Sequence, residues 1–104
     1  MSTLLKELEQ ECGSAVSEVF KELFDSGHKD IAPEAEHIAQ GILRLAKTPI
    51  TGKGKSAQVI SDSLQRQLYN LKAICKRRGY QAVLELVIKI ASIVVSVLLK
   101  RLGV

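Results

Sequence analysis

Histidine and cysteine are scarce in this chain, with two of each among 104 residues (His28, His37, Cys12, Cys75). No Cys-x-x-Cys or His-Glu-x-x-His spacing exists, so the strongest signatures of a zinc site are missing. No Gly-x-Ser-x-Gly elbow sets a serine on the strained turn that exposes a nucleophile. Catalytic residues, metal ligands and cofactors are therefore all expected to be none, and the chain is not read as an enzyme. His28 falls between helical stretches and is expected in solvent; His37 is expected partly buried.

Both cysteines fall on apolar helix stripes, where a thiol behaves as a small hydrophobe. A Cys12–Cys75 bridge requires the helices carrying them to touch at that level. The N-terminus lacks the apolar run of a secretory leader. A cytoplasmic, reducing location is the expectation. Glycine and proline number seven and two and form no low-complexity run.

What is present is a single-domain composition, residues 1–104, with 46% hydrophobic and 25% charged residues. That is too apolar for a disordered chain. The net charge of +4 makes this a basic protein but conceals a polarity. Residues 1–36 carry nine acids against three lysines, whereas residues 37–104 carry twelve bases against Asp62 and Glu85. Either an acidic helix lies beside a basic one, or a basic surface meets an anionic partner.

Apolar residues recurring at three- and four-residue steps predict an all-α fold. The expected form is a four-helix bundle with helices over about 3–25, 31–47, 56–78 and 80–102. The first carries Leu4, Leu5, Leu8, Cys12, Val16, Val19, Phe20 and Leu23 on one face and acids on the other. Gly13 lies inside it, at a cost to helix stability, and is a candidate for a close helix crossing. Asp30 and Pro33 suit the start of the second helix, and Thr48–Pro49 its end. Ser56 is a candidate cap for the third helix. Gly79 leaves so short a turn that the last two helices are expected to form an antiparallel hairpin.

Gly52-Lys53-Gly54-Lys55-Ser56 superficially resembles a phosphate-binding P-loop. The motif needs glycine where Pro49 stands, and a buried strand before it. It is rejected as a nucleotide site.

The last segment is unusual. Gln81, Glu85, Lys89, Ser92, Ser96 and Lys100 form one narrow polar line, and nearly every other position is apolar. A bundle helix normally shows three or four apolar positions per seven. This one is expected at the centre of the fold or at an oligomer interface, with Leu84, Ile88, Ala91, Val95, Leu99 and Leu102 as interface candidates. Contact with lipid is the less favoured alternative. A spanning helix wants about 20 apolar residues, and a lysine at mid-span costs about 2.5–3.5 kcal/mol on insertion scales.

A helical wheel places Arg66, Tyr69, Asn70, Lys76 and Arg77 opposite the apolar stripe of the third helix, with Lys72 at the edge. Lys53 and Lys55 precede that helix and Arg78 ends it. These nine residues are the candidate nucleic-acid or anion surface, with basic groups for phosphates and Tyr69 for stacking. The expected partners are a second copy of the chain, with a dimer favoured, and a protein or nucleic acid. The leading expectation is a self-associating interaction or regulatory protein. A nucleic-acid binder and a membrane-associated protein stand behind it.

Overall fold

The computed structural model describes residues 2–48 and 55–102, apart from the side chains of Ser2, Lys55 and Leu102. Lys53 lies outside the described residues. Among them the chain is all-helical, with five helices: α1 Ser2–Cys12, α2 Ser14–Asp25, α3 Ala32–Lys47, α4 Lys55–Arg78 and α5 Gln81–Leu102.

The fifth helix arises because the expected 3–25 helix divides at Gly13. Gly13 sits at φ 102° and ψ 162°, a conformation only glycine adopts without strain. Its N–H still donates to the Glu9 carbonyl at 3.0 Å, closing α1 before α2 begins. A Cβ added at Gly13 would meet nothing within 4 Å, so the residue serves backbone geometry and not a close crossing. The division lets α1 and α2 pack on each other and on α3.

α3 starts without a side-chain cap, Pro33 occupying its first turn. Asp30, expected to cap it, turns instead toward Arg78, 3.7 Å away. α4 begins at Lys55, so Ser56 lies inside the helix. Gly79, at φ 74°, closes α4 with the paired bonds of a left-handed C-terminal cap. Tyr80 N–H donates to the Cys75 carbonyl at 2.9 Å and Gly79 N–H to the Lys76 carbonyl at 3.3 Å.

α3, not the last helix, occupies the middle of the fold: it packs on all four others. Its buried face mixes Ile38, Ile42, Leu43 and Leu45 with Ala35, Ala39 and Gly41. Small side chains let neighbours approach. At Gly41 an added Cβ would press inside van der Waals contact of the Leu64 Cδ2 methyl and lie 3.3 Å from Cγ. Phe20, Leu8, Leu23, Ile31, Leu64, Leu68, Leu71, Val87 and Ile90 complete a largely aliphatic core in which Phe20 is a fully buried aromatic ring. At the far end an Arg101 guanidinium N–H donates to the Thr48 carbonyl, tying the end of α5 to the end of α3.

α4 packs on α3 and α5, and shares no extensive face with α1 or α2. The bases of α4 therefore have no acidic helix packed against them, whereas Glu7, Glu9 and Glu11 of α1 border grooves shared with Arg44 and Lys47 of α3 and with Lys100 and Arg101 of α5. Among the described residues the ion pair is Asp30–Arg78, half exposed. The thiols are both free, because the helices that bear them are not packed together.

Candidate interaction surface

α5 has three neighbours, α2, α3 and α4, and they cover only part of its circumference. Val83, Val87, Ile90, Val94 and Leu98 are buried. The polar line is exposed, as its spacing requires. Beside it, Ile88, Val95 and Leu99 stand 51%, 44% and 43% exposed. Their steps of seven and four keep them on one side of the helix. Ser92, also exposed, falls between them. Of the other interface candidates, Leu84 sits in the core at 9% exposure and Ala91 is half-buried. The Leu102 side chain lies outside the described residues.

Ala91 and Val95 border a shallow groove of about 240 Å³ between α5 and α4, whose opposite wall is Gln65, Leu68, Tyr69 and Lys72. Tyr69 is 74% exposed, so a large apolar ring extends the strip onto the neighbouring helix. By length and composition α5 is also capable of crossing a membrane over Gln81–Arg101, and one third of its most apolar stretch is buried within the fold.

The outer face of α4 is as its wheel requires. Arg66, Asn70, Lys76, Arg77 and Arg78 are exposed, and Lys72 is half-buried against the α5 side. Asp62, Gln65, Arg66, Tyr69 and Asn70 outline a shallow depression on that face. Asp62 is engaged by Gln58, whose side-chain amide donates to it at 3.0 Å, and dilutes the positive charge. The Lys55 side chain lies outside the described residues. Arg78 is turned to Asp30 and so is not free on the α4 face.

The remaining chemistry-bearing residues are dispersed. His37 is exposed, not partly buried, and borders a polar groove with Gln40, Arg44 and Gln67. His28 is half-buried, because its ring stacks on Tyr80 with centroids 3.8 Å apart and planes 16° from parallel. With Asp30–Arg78 this stack ties the α2–α3 connection to the α4–α5 turn. No sequence pattern links positions so far apart in the chain, and the contact was invisible before folding. Cys12 borders a cavity of about 500 Å³ with Glu9, Glu11, Lys100 and Arg101. Burial pushes its thiol up, with Glu11 adding to the rise and Lys100 opposing it. Such a thiol is a poor nucleophile near neutral pH. No cluster of three potential metal ligands occurs among the described residues.

No protein-family model, curated protein or solved structure matches the chain.

Proposed function

We propose that this protein is a small non-enzymatic interaction module that self-associates through α5 and offers the basic face of α4 to a macromolecular partner. In this reading α1 and α2 together form one arm of a four-helix bundle, α4 and α5 form an antiparallel hairpin about Gly79, and the protein works in the cytoplasm. One observation carries the reading: three neighbouring helices leave Ile88, Val95 and Leu99 about half exposed along one side of α5. Aligned apolar side chains of that size, rimmed by polar ones, mark an association surface. Glu85 and Lys89 favour a protein cover over lipid, since charge within the hydrocarbon layer is costly.

Light scattering of the full chain in detergent-free buffer is expected to give twice the chain mass. A monomer that stays soluble without lipid refutes self-association, and co-flotation with liposomes transfers α5 to lipid.

The partner reading rests on a second observation. The exposed bases of α4 have no acidic helix packed against them, and exposed Tyr69 stands among them. Polyanions release counterions from such a surface, so binding weakens steeply with salt. Absence of any mobility shift with DNA or RNA at low salt removes the nucleic-acid form of this reading and leaves a protein partner.

A further inference from the structure

The break between α1 and α2 opens onto the cavity of about 500 Å³ that Cys12 borders. Gly13 lies at its edge, with open space where a Cβ would stand. The floor is apolar: Cys12, Val16, Ala46, Ile93 and Val97. All but Val16 are half-buried, so they keep apolar surface that the fold leaves uncovered. A volume of this size suits a small organic molecule, and apolar walls with a few polar groups are the usual lining of such a site. Val97 follows Ile88 by two and a half helical turns, so the cavity lies on the opposite side of α5 from the exposed apolar strip.

The rim carries charge of both signs on separate helices, Glu9 and Glu11 from α1 and Lys100 and Arg101 from α5. Glu11 and Lys100 both lie near enough to Cys12 to act on its thiol, in opposite directions. Among the described residues, however, neither acid of the rim is ion-paired with either base. Arg101 is the decisive group. One guanidinium N–H holds the Thr48 carbonyl. Its Nε–H is buried and has no hydrogen-bond partner among the described residues. A buried donor of a charged group is costly to leave unpaired, and an anionic oxygen is its strongest partner. α2 also starts at this cavity, at Gly13, with no side chain capping it, and its first N–H groups favour negative charge.

The rim is balanced, two acids against two bases. A monoanion is attracted by Arg101 but faces Glu9 and Glu11, and a monocation meets the converse difficulty. A molecule bearing both charges finds an opposite charge for each. The geometry points to a binding site for a small zwitterion with an apolar body, such as a free amino acid with an aromatic or large aliphatic side chain. Its carboxylate takes the Arg101 Nε–H and the start of α2, its ammonium faces Glu9 and Glu11, and its side chain lies on Ile93 and Val97. The break at Gly13 sets the acids of α1 beside the bases of α5 around one cavity. The site depends on neither the exposed strip of α5 nor the basic face of α4.

Calorimetric titration of the full chain with three probes that share one ring tests it. They are L-phenylalanine, 3-phenylpropionate, which lacks the ammonium, and 2-phenylethylamine, which lacks the carboxylate. L-Phenylalanine is expected to bind and to slow the reaction of Cys12 with Ellman's reagent, and each single-charge probe to bind about 10-fold more weakly. Arg101→Lys keeps the charge without the Nε–H and should weaken L-phenylalanine by about 10-fold. Because Arg101 also ties α5 to α3, Glu11→Gln, at an exposed position, provides a variant that spares the fold. It should weaken L-phenylalanine about 2- to 5-fold and leave 3-phenylpropionate no weaker. Binding of 3-phenylpropionate as tight as that of L-phenylalanine, or Glu11→Gln weakening both alike, overturns the zwitterion. No heat and no protection of Cys12 from any probe at about 10 mM, well above the roughly 1 mM expected for a ligand of this size, overturns the site.

Discussion

Gly41→Ala is the sharpest test of how α3 fits into the fold. Inside an exposed helix, glycine to alanine gains about 1 kcal/mol from backbone entropy. At this position the new methyl meets Leu64, which is 1% exposed and itself packed in the core. The Cδ2 methyl must leave its place, and Cγ at 3.3 Å must give as well. Overpacking of this kind costs about 1–3 kcal/mol. Subtracting the helix gain leaves a net loss of about 1 kcal/mol, a fall in Tm of about 4–8 °C for a domain of this size. Leu64→Ala by itself costs about 2–5 kcal/mol through the cavity it opens. In that background the obstruction is gone, so Gly41→Ala there should stabilise by about 1 kcal/mol. Urea unfolding of the four proteins in the cycle measures both signs. If Gly41→Ala stabilises the parent chain by the full helix-propensity value, α3 and α4 do not cross closely at Gly41 and Leu64, and the reasoning fails.

Other expectations follow from single contacts. Tyr80→Ala removes the stack on His28 and should cost about 0.5–1.5 kcal/mol for the ring pair beyond its area burial; thermal unfolding checks it, and no change means the stack is not stabilising. Burial, and secondarily the charge of Asp30, push the Cys75 thiol above its ordinary value near 9. The folded state therefore keeps its proton at a pH where the unfolded chain releases it, so Cys75 costs stability as pH rises above about 9 and nothing below. The stability gap between the parent and Cys75→Ala should accordingly shrink on passing from pH 8 to pH 10 in urea titrations, and a constant gap contradicts the assigned burial. Ellman's reagent should label half-buried Cys12 in the native state and Cys75, 1% exposed, only on unfolding. If α4 binds a polyanion, Arg66→Ala with Arg77→Ala should lower the slope of log affinity against log salt by about 2, and an unchanged slope removes those side chains from the contact.

Much of this was legible in residue spacing, and the reasons for the misses are physical. Periodicity located α3, α4 and α5 to within a residue or so because each has a continuous apolar stripe. It could not divide the first helix, since the stripe runs through Gly13 and only a backbone dihedral separates α1 from α2. The polar line of α5 announced a helix with little solvent-seeking surface. Which of its apolar positions emerge depends on where α2, α3 and α4 lie, so Leu84 went into the core while Ile88, Val95 and Leu99 did not. The centrality of α3 was written in Ala35, Ala39 and Gly41, whose small size matters more to helix approach than hydrophobicity does. The acidic and basic halves were plain in the composition. Which bases lie near the acids of α1 (Lys100 and Arg101 of α5) and which, on α4, do not is a matter of topology, which charge counts do not carry. The wheel of α4 gave its outer face correctly because that helix has only two neighbours, α3 and α5, and its outside is simply the rest. Arg78 departs from it because the turn at Gly79 brings it beside Asp30, a contact between distant stretches of chain.

Sedimentation velocity of the full chain and of Val95→Glu, each across a dilution series without detergent, tests the part assigned to α5 most directly. Val95 is 44% exposed in the subunit, so the variant folds, while a carboxylate at that point meets the apolar side of a second copy. Loss of apolar contact on both sides of the pair is worth about 2 kcal/mol, or about 30-fold in affinity, before the cost of desolvating the charge. The account predicts a parent dimer that Val95→Glu converts to monomer at the same concentration. A parent chain that is monomeric throughout, or a dimer indifferent to Val95→Glu, contradicts it.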